Sequence, residues 1–170
     1  MSLFVRPAVA SDAPDIQNIL QASFGEYQAA LKLPEQPAAM RDSLEDILRG
    51  IEQQQVFIAV FNRMKAVGTI RVRHASDGFA YISRFAVLPQ WQQSGAGSSL
   101  MEAALDWCRS NRMRAAALHM AVKMVKLARF YHGCGFYVHS VEASPAGYRR
   151  GLFVKELEEC GEIEFDKIKY

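Results

Sequence analysis

The chain has 170 residues, half of them hydrophobic and 22% charged, the balance of one soluble globular domain that can bury a core without metals or disulfides. Its net charge is +2, and its three cysteines (Cys108, Cys134, Cys160) include no C-x-x-C pair, which argues for a reducing, cytoplasmic setting and against a disulfide frame or zinc site. The opening MSLFVRPAVASD lacks the pattern of a secretion signal, and no apolar run reaches the ~20 residues a membrane helix needs.

In chain order, LFVRPA reads as a short strand, and Ser11 or Asp12 can cap a helix carrying Ile16, Ile19, Leu20 and Phe24 at spacings of three and four. After a break at Leu33 to Pro37, a second helix over 41–53 lines up Leu44, Ile47, Leu48 and Ile51. Alternating strands are predicted over 55–61, 66–74 and 79–88, the last two joined by a link ending Asp77-Gly78. A helix over 96–110, a strand over 115–122, a short helix over 124–132 stopped by Gly133, and strands over 135–141 and 148–157 complete the pattern. The tail from residue 158 alternates Ile163 and Phe165 with charges, which fits an edge strand or a frayed end equally well.

The most informative stretch is FAVLPQWQQSGAGSSLM, residues 85–101. A strand ends near Pro89, and a glycine-punctuated turn then opens directly into a helix. Gly95 and Gly97 let the backbone approach a ligand closely. The first helical amides have no carbonyl four residues back, and the helix dipole favours an anion there. Ser94, Ser98 and Ser99 can cap the helix or donate to the same anion. No Gly-Lys-Ser/Thr follows, so this is not a Walker loop, and Leu100 replaces the third glycine of a dinucleotide fingerprint.

Val87-x-Pro89, Gln92-x-x-Gly95-x-Gly97 and Leu100 together resemble the pyrophosphate signature of the GNAT superfamily of acyl-CoA N-acyltransferases. A second matching block follows in order: Leu118 and Met120 on an apolar strand, Phe130 and Tyr131 on a short helix, then Gly135-Phe136. The resemblance covers residues 4–157 and implies a single domain over 1–157. Its fold would be α+β, a mixed, mostly antiparallel sheet of six to seven strands flanked by about four helices. It also implies acetyl-CoA as co-substrate, with its pantetheine arm entering where strands 79–88 and 115–122 part. Phe85, Ala86 and Val87 would pair with the pantetheine amides through their main chain. Gln92, Gln93, Ser94, Gly95, Ala96, Gly97 and Ser98 would hold the pyrophosphate, with Lys126 near the nucleotide phosphates.

Charge is distributed in keeping with that reading. Residues 1–60 hold 8 acidic and 4 basic side chains, residues 61–157 hold 5 and 14, and residues 158–170 hold 5 and 2. A basic middle suits a phosphate-bearing cofactor and an acidic first third suits a cationic amine, although solvated helix faces account for the same distribution. The middle lacks the basic-aromatic platform of a nucleic-acid binder, so neither nucleic acid nor membrane is an expected partner.

The implied reaction is acetyl transfer to a primary amine of a small molecule or peptide, directly in a ternary complex, because no activated nucleophile is visible. Cys134, within Gly-Cys-Gly, reads as structural. Tyr131 is the expected general acid, since an ordinary phenol (pKa about 10) stays protonated at neutral pH and can protonate a thiolate. FAYISRFAV has no carboxylate where many relatives carry a glutamate base, and Arg84 cannot serve. Glu26 is the first choice for the base, ahead of His74, Tyr81 and His119. Met124 replaces the family's asparagine and Leu127 its alanine, so an acyl-CoA sensor without chemistry is the alternative. Dimers are common in the family, which makes a homodimer one expected assembly. No metal site is expected.

Overall fold

The computed structural model describes residues 2–76 and 78–158, so the tail expectation lies almost wholly outside the described residues. Seven strands hydrogen-bond in the order β1-β2-β3-β4-β5-β7-β6. Four α-helices accompany them among the described residues. The chain falls into two compact units, one running to Val72 and including Arg84–Ala104, the other made of Arg73–Ser83 and the chain from Leu105 on.

In the first unit, β1 (Leu3–Pro7) pairs antiparallel with β2 (Gln55–Phe61), which pairs antiparallel with β3 (Lys65–His74). The apolar stripe predicted for α1 (Ala13–Leu31) is its buried face: Ile16, Ile19 and Leu20 pack with Ile47 of α2 (Leu44–Gln53), Val56 of β2 and Ala86 of β4 (Phe79–Val87). Each of these isoleucine, leucine and valine side chains contributes about 1.5–3 kcal/mol on leaving water. Asp12 stands at the N-cap of α1 but its side chain does not cap the helix. Its carboxylate instead accepts from Arg6 at 2.7 and 2.8 Å and from the Val9 amide at 2.8 Å, tying β1 to the turn before α1. That Arg6 hydrogen bond is the main cause holding the Asp12 pKa below the ordinary carboxylate value.

The second predicted helix starts three residues late, at Leu44. Ser43 caps it reciprocally with Asp46, its hydroxyl accepting from the Asp46 amide at 3.1 Å while the Asp46 carboxylate accepts from the Ser43 amide at 3.0 Å. Asp42, just outside, is committed elsewhere, as described below.

In the second unit, β4 pairs parallel with β5 (Ala115–Ala121) at Phe79↔Ala115, Ala80↔Ala116 and Tyr81↔Ala117. β5 then pairs antiparallel with β7 (Arg149–Glu156) along its whole length, and β7 with β6 (Tyr137–Ala143). Phe79, Ala115, Ala117, Leu152 and Val154 form one buried cluster. β6 begins two residues later than its alternation suggests. Gly135, at φ 88°, and Phe136, whose amide donates to the Tyr131 carbonyl at 3.0 Å, are spent on the exit from α4 (Val125–Gly133).

Candidate active site

The glycine turn predicted to open a helix does so. After a turn at Pro89–Trp91, Gln93 and Gly95 take positive φ (66° and 91°), and α3 (Ala96–Ser110) starts immediately. Left-handed backbone costs glycine little, so Gly95 lets the chain reverse into the helix. A Cβ on Gly95 would meet nothing within 4 Å, leaving the mouth of the turn open. Ser94 braces the turn: its hydroxyl donates to the Trp91 carbonyl at 2.6 Å and accepts from the Ala96 amide at 3.4 Å. Gly97 and Ser98 follow in the first helical turn, where no carbonyl lies four residues back. Trp91 is pinned on the Phe61 ring at 4.5 Å, with the Lys65 ammonium 5.8 Å from the Trp91 ring centre. The result is an open, positively polarised cradle of the kind that binds phosphate.

Phe85, Ala86 and Val87 form the last part of β4 in this same unit. Immediately before them, Arg84 takes φ 52°, a left-handed conformation inside a strand. No sequence signal announced this conformation, because the residue is not glycine. Its guanidinium anchors it, donating through Nε and a terminal nitrogen to the Asp42 carboxylate at 2.7 and 2.9 Å. Arg71 of β3 reaches the same carboxylate at 3.7 Å, and its buried Nε has no hydrogen-bond partner. Burial is the first cause lowering the Arg71 pKa, with Arg84 second. This cluster stands where many relatives were expected to carry a glutamate, and its sign is reversed.

Glu26 of α1 is exposed and accepts from Gln92 Nε2 at 3.3 Å. The structure thus brings the expected base to the turn expected to hold pyrophosphate. His74 packs its ring edge-to-face on Trp107 at 5.5 Å.

In the second unit, Tyr131 of α4 is buried, its ring against Phe130, Phe136 and Phe153 at 5.6–5.9 Å. Lys126, on the same helix, is exposed to solvent. Met124 precedes the helix at φ −81°, ψ 71°, and offers no side-chain cap. Cys134 has its thiol pushed up by burial, and Cys108 is pushed up to about 12 by the same cause, so neither is an activated nucleophile at neutral pH.

Tyr81 and His119 were separate candidates from sequence, and the structure joins them: Tyr81 Oη and His119 Nδ1 are 2.8 Å apart. Burial first and Arg150 second lower the His119 pKa to about 4, against an opposing pull from Glu142. Because the unfolded state then binds more protons between pH 6.5 and about 4, His119 lets stability stand in full above pH 6.5 and erodes it as pH falls towards 4. His119→Gln is expected to flatten that acid decline in Tm, and a decline of unchanged slope would assign it to other groups. No group of histidine, cysteine and carboxylate side chains among the described residues is arranged to hold a metal ion. No helix there is long and apolar enough to cross a membrane.

Residues 14–136 match the family model described as Acetyltransferase (GNAT) family. The chain belongs to the GNAT acetyltransferase family. Within it, the chain is 29% identical over 136 residues to Aminoglycoside N(6')-acetyltransferase type 1 of Stenotrophomonas maltophilia, covering 74% of this chain and 88% of that one. Among solved structures it resembles yncA from Salmonella typhimurium, solved with acetyl-CoA (TM-score 0.77, 17% identity, 97% of this chain and 99% of that one). It also resembles the paia N-acetyltransferase of Thermoplasma acidophilum, solved in complex with coenzyme A (TM-score 0.76, 16% identity, 92% and 99%). A third is the ribosomal-protein-S18-alanine N-acetyltransferase of Escherichia coli (TM-score 0.74, 16% identity, 95% and 97%). The mixed sheet and four helices expected of a GNAT chain are therefore the fold observed.

Proposed function

We propose that this acetyltransferase carries the acetyl group of acetyl-CoA directly to a primary amine of a small molecule or peptide, within a ternary complex. The observation that carries the reading is the open turn at Gln92–Gly95 with the first amides of α3 behind it, a cradle suited to the pyrophosphate of coenzyme A. Gln92, Gln93, Ser94, Gly95, Ala96, Gly97 and Ser98 hold that group in this reading. In the same reading the main chain of Phe85 to Val87 receives the pantetheine, Lys126 is assigned to the nucleotide phosphates, and Tyr131 protonates the departing thiolate. Raised thiol pKa values at Cys108 and Cys134 support direct transfer over an acyl-enzyme. The two are free thiols, which suits a reducing cytoplasm.

Glu26, the base expected from sequence, is bonded to Gln92, and a carboxylate there braces the cofactor turn more readily than it reaches an amine. Glu26→Gln is accordingly expected to change acetyl-CoA affinity by a few-fold and to leave the pH–rate profile where it is. A shifted acid limb in that variant would return Glu26 to the role of base.

The test is a thermal-shift titration with acetyl-CoA, with NAD and ATP as controls, followed by turnover of an amine panel. A ligand at a hundred times its Kd stabilises by about 2.7 kcal/mol, or roughly 5–11 °C for a chain of this size. The likeness to an enzyme named for aminoglycosides puts tobramycin first in the panel, with an alanine-initiated peptide, spermine and lysine beside it. No shift at millimolar acetyl-CoA would remove the reading.

A further inference from the structure

We propose that Tyr81 and His119 form the route by which the acceptor nitrogen loses its proton, with Glu142 and Arg150 as positioning residues; this rests on the acetyl-transfer reading above. The parallel pairing of β4 with β5 ends at Tyr81↔Ala117, and His119 stands two residues further along β5. The phenol and imidazole therefore meet at the point where the strands part. Tyr81 packs against the apolar cluster of Phe79, Ala115, Ala117, Leu152 and Val154, and His119 stands opposite Leu152 in the β5–β7 register, so their mutual hydrogen bond is what offsets the cost of holding two polar groups there.

The groups around the imidazole are ordered. On its second nitrogen, Nε2, the ring faces Glu142 Oε1 of β6 at 3.7 Å. Glu142 is held in turn by Arg150 of β7, whose Nε and terminal nitrogen lie 2.7 and 2.6 Å from the same oxygen. From β3, the Arg73 guanidinium lies over the Tyr81 ring, 5.3 Å from its centre. A carboxylate opposite Nε2 favours the tautomer with its proton there, leaving the Nδ1 lone pair for the Tyr81 hydroxyl. The same carboxylate then faces the imidazolium that forms. Glu142 is half exposed and 3.7 Å away, so it biases the tautomer and the imidazolium by charge and not through a hydrogen bond.

The step balances as follows. Once the amine has attacked the thioester carbonyl, the nitrogen of the tetrahedral adduct carries one proton too many. That N–H bond breaks towards Tyr81 Oη, its electron pair staying on nitrogen, while the Tyr81 hydroxyl proton passes to Nδ1 of neutral His119. The imidazolium discharges to solvent after product leaves, and the thiolate takes its own proton from Tyr131. Nitrogen in the adduct is far more acidic than a free ammonium; burial keeps the His119 imidazole neutral with its Nδ1 lone pair turned to Tyr81, and the Glu142 carboxylate facing Nε2 offsets part of the cost of the charge it gains.

His119→Gln and Tyr81→Phe, assayed with the acceptor turned over fastest in the panel, test it. Each is expected to lower kcat by about 10²–10⁴-fold with KM for acetyl-CoA and the acetyl-CoA thermal shift unchanged. The deficit should shrink as pH rises and hydroxide takes over removal of the adduct proton, and acceptors of low amine pKa, whose adducts are more acidic, should be less affected. Glu142→Gln should displace the acid limb of the pH profile. Turnover within threefold of the parent protein in both variants across the pH range would overturn the relay while leaving acetyl transfer intact. Absence of an acetyl-CoA thermal shift in the parent protein would instead remove the transfer reading and the relay with it.

Discussion

Replacing Tyr131 by phenylalanine is expected to lower turnover by about 10²–10⁴-fold while leaving acetyl-CoA binding in place. The substitution is unusually clean here. The Tyr131 ring is 5% exposed and packs against Phe130, Phe136 and Phe153, contacts that a phenylalanine ring keeps. Its main-chain carbonyl accepts from the amides of Cys134 and Phe136, both at 3.0 Å, and these bonds do not depend on the side chain. The ring contacts and main-chain bonds stay and the phenolic oxygen goes, so an unchanged Tm beside a fall in kcat is what marks the oxygen's chemistry. Steady-state kcat, read beside the acetyl-CoA thermal shift, separates the two effects. Equal turnover in the two proteins would strip Tyr131 of the acid role and leave it as a core residue.

The parts of this molecule legible in the sequence are those that local chemistry decides. β2 and α3 begin and end where periodicity and the glycine turn put them, over 55–61 and 96–110. Gly95 was readable because its positive φ has a residue-type signature. Arg84 was not, since nothing in FAYISRFAV marks a left-handed arginine; the conformation is held by Asp42, 42 positions away. Asp12 looked like a cap because it precedes a helix, yet Arg6 of β1 claims its carboxylate. The joining of Tyr81 to His119 likewise depends on the register of β4 against β5, which alternation within each strand does not fix. Local signals thus gave the glycine turn that opens α3, and long-range polar partners decided what lies around the candidate acceptor chemistry.

Gly68 belongs with the features that only packing reveals, and substituting it is expected to have the largest effect on stability. It lies on β3 beneath the end of β4 and the start of α3. A Cβ there would come within 2.8 Å of Leu100 Cδ1, 3.1 Å of the Ala86 carbonyl oxygen and 3.2 Å of Val87 Cγ2. Leu100 is fully buried, so its methyl has no free direction in which to retreat. The Ala86 oxygen is main chain in the segment proposed to receive pantetheine, and the Leu88 amide just beyond is bonded to the Val67 carbonyl at 2.8 Å. Overpacking of this kind costs about 1–3 kcal/mol for an added methyl and more for a branched side chain. Gly68→Ala should therefore lower Tm by roughly 2–12 °C, with Gly68→Val lower still. Because the strand bearing Ala86 must shift, the acetyl-CoA thermal shift should weaken in the same variants. Pairing Gly68→Ala with Leu100→Ala discriminates the cause: recovery of cofactor response in the double variant would place the conflict at the leucine methyl, and continued loss would place it at the Ala86 carbonyl. An unchanged Tm and cofactor response in Gly68→Ala would mean that β3 and β4 have slack at this point, and that close approach of the two strands does not shape the pantetheine edge.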